Sequence, residues 1–262
     1  MNSLRVGCVK YLNARPLVRG WEGNVEFDHP SALCERLAKG QLDVALVSSF
    51  EFLRNPIYQI VDGVSISSDG PVYSVVVAHR GELSDIEEIE LDPASKTAAS
   101  LLRCLLAELG STPRLTSRVP ENAGSSQARL IIGDQAISFR QTHADEFRFW
   151  DLGEQWKRLT GLPFVYALWL IRPEVPDAKS IAQRLRGLRD ENLAGIPAIV
   201  SDAVADVADN KQEVPREFLD RYYHKHLRFG FGTREKQGLQ TFADLCAKHG
   251  VLPKRALEFG LV

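Results

Sequence analysis

The chain has 262 residues, of which 44% are hydrophobic and 25% charged, an ordinary globular composition that excludes general disorder. Lys and Arg number 32 against 34 Asp and Glu, a net charge of −2, which argues against a broad nucleic-acid footprint but leaves room for a small anionic ligand. The cysteines Cys8, Cys34, Cys104 and Cys246 are dispersed without C-x-x-C spacing and read as reduced structural thiols, not as a zinc or redox site. No apolar stretch approaches the length of about 18 residues that a membrane span needs, and Met1–Cys8 holds no signal-peptide core. The expectation is a soluble cytoplasmic protein with no membrane or nucleic-acid partner.

The predicted elements begin with a strand at Leu4–Val9 and a short helix at Asn13–Arg19. A second strand at Val25–Asp28 leads to a helix at Pro30–Lys39, whose Leu33, Leu37 and Ala38 share one face. A third strand, Asp43–Val47, is closed by Ser48-Ser49 and a short helix to Leu53. This βαβαβ order predicts a parallel sheet covered on both faces. A second set follows, with strands at Val72–Ala78, Ile89–Leu91, Arg114–Arg118 and Arg129–Ile132 and a leucine-striped helix at Lys96–Leu109. Helices near Asp134 and at Leu152–Thr160 precede an apolar strand at Phe164–Ile171. Helices at Ser180–Leu193, Pro197–Ala208 and Thr233–His249 fill the remainder.

This order predicts an α/β protein with two lobes and a ligand cleft between them. Lobe one would comprise residues 1–75 plus 173–262, including the helical tail, and lobe two residues 76–172. Crossing segments near Val75 and Leu170 would form the hinge.

Small polar residues recur at the expected strand-to-helix junctions. They are Tyr11–Pro16 with Asn13, Val47–Glu51 with Ser48 and Ser49, Ser65–Gly70 with Ser67 and Ser68, Asp92–Ala98 with Ser95 and Thr97, and Ile132-Gly133-Asp134. Helix capping explains each one alone, and Asn13 suits a cap as well as a ligand contact. Together they converge on one cleft lined with N–H donors and hydroxyls, which suits a small anion. His224-Lys225-His226 lacks metal-ligand company, and His143 lies in a polar run that reads as surface. No nucleotide-binding or nucleophile-elbow motif is present.

The same junctions carry a resemblance. Tyr11-Leu12-Asn13-Ala14-Arg15-Pro16-Leu17, Gly40–Ser49, Asp62–Gly70, Ile132–Ala136 and Trp156–Ala167 resemble the menaquinone-biosynthesis enzymes of the futalosine route. The likeness runs from about Leu4 to Phe259 and implies the two-lobed fold of type-2 periplasmic binding proteins. It also implies the branch that dehydrates chorismate, a dianion, to 3-enolpyruvylbenzoate without a cofactor or metal. A sister branch opens cyclic dehypoxanthine futalosine with a His base just after the strand that here ends at Ile132. This chain has Gly133 there and keeps the Asn of the Tyr-Leu-Asn motif as Asn13. A non-catalytic small-anion binder of the same fold is the remaining alternative.

The resemblance assigns expected roles. Asn13 orients the enolpyruvyl group or the leaving hydroxyl. Ser95, Thr97 and the helix start at Ala98 hold one carboxylate. Ser48, Ser49 and Ser68 contact the ring or the other carboxylate, Tyr166 lines the hinge side, and Ser67 and Gly133 are further substrate-binding candidates. The base is the enolpyruvyl carboxylate of the substrate itself, with Asp134 and Asp69 as protein alternatives.

Overall fold

The computed structural model describes residues 4–117, 127–209 and 214–262, without the side chains of 206–209. Two five-stranded sheets organise the chain. Strands β1 (Val6–Val9), β2 (Val25–Asp28) and β3 (Val44–Ser48) form the parallel part of the first sheet. They alternate with α1 (Arg15–Val18) and α2 (Pro30–Ala38), and α3 (Ser49–Arg54) follows β3. β1 and β3 are buried along their whole length, as strands covered on both faces must be.

The first sheet is completed by β4 (Gln59–Ser68) and β10 (Phe164–Ile171), in the order β2-β1-β3-β10-β4. β10 runs antiparallel to both β3 and β4, so the sheet is mixed and not purely parallel as expected. Its place also moves the second crossing. Phe164–Ile171 was expected in lobe two, but it pairs inside the first sheet, so the chain returns at residues 161–163 and not near Leu170.

The second sheet contains β5 (Val75–His79), β6 (Glu88–Leu91), β7 (Arg114–Ser117), β8 (Ala128–Ile132) and β9 (Arg148–Asp151), in the order β7-β6-β8-β5-β9. Arg118, expected to end β7, lies outside the described residues. The associated helices are α4 (Lys96–Glu108), α5 (Gly133–Thr142) and α6 (Leu152–Thr160). The tail adds α7 (Ala178–Ala194), α8 (Ile196–Asp209), α9 (Arg216–Arg221), a π turn at Tyr222–His226 and α10 (Thr233–Lys248).

The serine-rich segment expected as a strand-to-helix junction is the end of β4. Two of its serines face the tail: Ser65 Oγ donates to the Gly230 carbonyl at 2.5 Å, and Ser67 Oγ donates to the Arg228 carbonyl at 3.3 Å. Burial beside backbone carbonyls explains the hydroxyls, since an unbonded polar group there would cost about 1–3 kcal/mol.

Two backbone crossings join the lobes, at residues 69–74 and 161–163. Asp151 secures the first. Its buried carboxylate accepts from Val72 N (3.0 Å) and Tyr73 N (2.7 Å), and it also caps α6 through Gly153 N (3.0 Å) and Glu154 N (3.1 Å). Tyr73 takes a left-handed φ of 69°, a strained conformation that this anchoring holds in place.

The four cysteines are free and buried, with Cys104 and Cys246 Sγ atoms 3.8 Å apart. His143 is half-buried and stacks on Phe139 at 4.1 Å instead of lying free on the surface. Among the described residues no helix is long and apolar enough to cross a membrane.

Candidate functional site

Between the two sheets lies a cavity of about 550 Å³, counted to its open mouth. Its wall brings together Asn13, Ser48, Ser95, Thr97, Ala98, Gly133 and Tyr166. These residues come from separate junctions, and the fold gathers them because strand ends and helix starts of both sheets face the same gap. Apolar side chains, among them Val9, Ile66, Val72, Val75 and Ile132, fill the rest of the wall.

Hydrogen bonds cross the cleft. The hydroxyl of Ser48, at the end of β3, bonds that of Thr97 at the start of α4, and Thr97 Oγ1 also accepts from Phe50 N at 3.3 Å. Ser48 thus spans the lobes and does not cap α3 with its side chain. Ser95 is the N-cap of α4, its Oγ accepting from Ala98 N at 3.1 Å. Tyr166 is held by a 3.1 Å bond between its hydroxyl and Ser68 Oγ.

Several expected contacts lie elsewhere. Ser49 Oγ donates to the Val165 carbonyl at 2.7 Å in the sheet interior, and Ser67 faces the tail. Ser68 stands behind Tyr166, giving its hydrogen to the Gly70 carbonyl at 2.9 Å. Asp69 is exposed and engaged by Lys157 at 2.6 Å and Arg234 at 3.5 Å, which removes it as a candidate base. Asp134 does not line the cavity. Both its oxygens receive the Leu12 N–H, at 3.0 and 3.2 Å, so it braces the turn that carries Asn13.

Asn13 does not cap a helix. Its Oδ1 is buried without a partner. Ser74 was not expected here. It lines the cavity, and its Oγ accepts from the Tyr222 hydroxyl at 2.8 Å. Tyr11 was quoted only as part of a motif, yet it lines both the cavity and an outer cleft bounded by Lys10, Arg15 and Arg19. A Tyr at the end of β1 is the one signal that pointed to it.

Gly133 and Tyr11 share a tight contact. Gly133 has φ +62°, and a Cβ there would lie 2.9 Å from the Tyr11 ring. A side chain at this position would therefore displace the ring. Gly133→Ala should lower stability by about 1–2 kcal/mol for the left-handed backbone alone. Tyr11 should be misplaced as well, with kcat/KM falling at least about tenfold. Steady-state kinetics beside a urea melt checks both effects.

The lining contains hydroxyls, phenols and one amide. Among the described residues it contains no carboxylate, imidazole, thiol, Lys or Arg. Burial raises the pKa of Tyr11 and Tyr166 above the ordinary phenol value, so both stay protonated at neutral pH. The wall can donate hydrogen bonds to anionic oxygens, but its described residues include no side chain suited to remove a proton from carbon.

Burial also raises the Asp134 carboxyl, to about 6, against the lowering effect of the Leu12 N–H. A carboxyl with a higher pKa when folded binds its proton more tightly in the folded state. Its contribution to stability is complete below the unfolded value near 3.8 and is lost as pH rises through about 6. Relative to Asp134→Asn, the natural chain should lose up to about 3 kcal/mol between roughly pH 4 and pH 7, at about 1.4 kcal/mol per unit. Urea melts of both proteins across that range measure it, and parallel curves would contradict it.

A sequence profile described as menaquinone biosynthesis matches residues 4–248. The chain belongs to this family. Among curated relatives, a chorismate dehydratase of Thermus thermophilus is 29% identical over 259 residues, covering 91% of this chain and 93% of that one. A chorismate dehydratase of Campylobacter jejuni is 27% identical over 239 residues, covering 90% of each chain. Among solved structures, a protein of Archaeoglobus fulgidus has a TM-score of 0.72 at 15% identity, covering 96% of this chain and 100% of its own. The alkanesulfonate-binding protein SsuA of Xanthomonas axonopodis has a TM-score of 0.70 at 17% identity, covering 97% of this chain and 95% of its own. These structures share the fold, which is the two-lobed periplasmic-binding-protein arrangement expected from the sequence.

Proposed function

We propose that this family member is a chorismate dehydratase, a hydro-lyase that converts chorismate to 3-enolpyruvylbenzoate and water. The observation that carries the reading is the chemistry of the cavity wall: many neutral donors, one orphaned amide acceptor and, among the described residues, no side-chain base. Membership of the family and the two dehydratase relatives support it.

The C3 proton of chorismate is vinylogous to the ring carboxylate, so its removal spreads charge into that carboxylate. Hydrogen-bond donors on the wall stabilise this charge where it develops. The proton goes to the enolpyruvyl carboxylate of the substrate. The C3–H electron pair then forms the C3=C4 bond as the C4–O bond breaks, and the departing hydroxide recovers the proton as water. The aromatic ring supplies the driving force. Ser95, Thr97 and the first turn of α4 hold one carboxylate. Asn13 Oδ1 accepts from the C4 hydroxyl, the one hydrogen-bond donor that the chorismate dianion offers.

Loss of a positioned general base costs about 10²–10⁴-fold. With the proton taken by the substrate, Asp134→Asn should keep kcat within about tenfold of the natural enzyme, since only hydrogen-bond geometry changes. A loss of three orders of magnitude in a folded variant would make Asp134 the base instead.

The sister reaction needs a base where this chain has Gly133, packed against Tyr11. Offering chorismate and cyclic dehypoxanthine futalosine separately to the purified protein tests the reading. Chorismate should be consumed and the futalosine left intact. The reverse result would assign the sister activity, and tight binding of chorismate without turnover would make the chain a binder.

A further inference from the structure

Beside the cavity lies a second, larger cleft of about 1180 Å³, counted to its open mouth, and the two share Val9 and Tyr11. We propose that this outer cleft is a capture subsite for a cyclic dicarboxylate, with Lys10 as its counter-ion and Tyr11 and Phe27 as its apolar walls. For chorismate as the ligand this rests on the dehydratase reading; for the class of ligand it does not.

The described residues of the cavity wall include no cation, so a dianion entering there exchanges water for neutral donors. The outer wall supplies the positive charge, with Lys10, Arg15 and Arg19 lining it. Arg19 is answered by Asp202 on α8, Nε to Oδ2 at 2.8 Å, a pair that ties the end of α1 to α8. Lys10 differs. It is exposed and makes no salt bridge among the described residues, so its ammonium can meet an incoming carboxylate. Charge of one sign lining a cleft raises the local concentration and on-rate of an opposite ligand, by about 10- to 1000-fold, and salt removes the effect.

Charge alone would suit any anion, and the rest of the wall narrows the class. Phe27, on the edge strand β2, leaves its ring 56% exposed. It lines this cleft together with the half-buried Tyr11 and with Val18 and Ile199. Apolar surface beside a cation fits the face of a ring that carries carboxylates, whereas a phosphate has no face to bury there. Tyr11 itself is fixed on both sides: its hydroxyl bonds His29 Nδ1 at 3.4 Å, and its ring lies close against Gly133. A ligand held beside Lys10 and Tyr11 already touches the wall that cleft and cavity have in common.

Isophthalate, a stable aromatic dicarboxylate, probes the site without turnover. The reporter is the backbone amide of Phe27 in ¹⁵N-labelled protein, since Phe27 lines the outer cleft and not the cavity. At an ionic strength of about 10 mM, where the Debye length is about 30 Å, isophthalate should shift this amide saturably. Its Kd should rise at least about threefold in Lys10→Gln and tenfold in Lys10→Glu, and stay within about twofold in Lys10→Arg. Inorganic phosphate should bind at least about fivefold more weakly than isophthalate. With chorismate, Lys10→Glu should lower kcat/KM about tenfold at low salt with kcat within about twofold, and the difference should vanish at about 1 M salt. An unmoved Phe27 amide, equal affinity in Lys10→Glu, or phosphate binding as tight as isophthalate would overturn the proposal. So would a loss in kcat/KM that salt leaves unchanged. Absence of chorismate turnover by the natural chain would sink the dehydratase reading, and the isophthalate titrations would then decide the subsite alone.

Discussion

Asn13→Asp should abolish chorismate turnover near neutral pH, with kcat/KM falling by about three orders of magnitude or more. Asn13 stands on the cavity wall with its oxygen buried and unpartnered. An ionised carboxylate there would face a dianion. Like charges about 4 Å apart at an effective dielectric near 20 repel by roughly 4 kcal/mol, about a thousandfold. Asn13→Ala loses the acceptor without adding charge, and its kcat should fall about 10²-fold, the usual consequence of removing one fixed polar group from a reaction site. The pH profile separates the two effects. Protonation of the new Asp restores a neutral acceptor, so Asn13→Asp should regain part of its activity as pH falls, while Asn13→Ala should not. An alanine variant within threefold of the natural enzyme would remove Asn13 from the site.

Gly153→Ala should destabilise the fold by about 2–3 kcal/mol, in the range of overpacking a tight interior. A Cβ at this position would lie 2.6 Å from the Gly70 carbonyl oxygen and 2.7 Å from both Ser68 Oγ and the Tyr166 hydroxyl. Gly70 and Ser68 border the first crossing between the lobes, and Tyr166 lies on β10 beside the second. No flexible side-chain end can yield here: one clashing atom is backbone, and the other two are bonded to each other. The substitution therefore strains the hinge and pushes Tyr166 into the cavity. Melting temperature and kcat/KM should fall together, the latter at least about tenfold. A variant as stable as the natural chain would show that this packing relaxes at no cost.

What the sequence made legible was local. β2 alternates apolar and acidic residues and β10 is an apolar run, and both begin and end where the sequence places them, while α6 and α10 end at Gly161 and before Gly250, as the periodicity required. β4 was missed because Asp62-Gly63 interrupts its apolar run and its serines look solvated. They are buried only because residues 228–230 fold back across them. β9 was missed because Arg148 and Asp151 bracket two aromatics, too short a run to show a period. The antiparallel insertion of β10 depends on pairing with β3, far away in sequence.

The site was legible to the same degree. Junction residues converged because helix starts and strand ends share one edge of each sheet. Which hydroxyl of a neighbouring pair faces the cavity was not legible: Ser48 does and Ser49 does not, since adjacent side chains leave the backbone in different directions. Tyr222 lies in the tail, at no junction, and only the Tyr-Tyr pair in an otherwise charged stretch hinted at burial.

The most direct measurement of the central claim is a proton NMR time course of chorismate with the purified protein, in buffer containing a chelator. The signals of H3 and H4 should vanish together as four aromatic protons of a meta-substituted benzoate appear, while the enolpyruvyl methylene pair stays. Persistence of chorismate at protein concentrations comparable to substrate would contradict the account, as would an aromatic product that has lost its enolpyruvyl group.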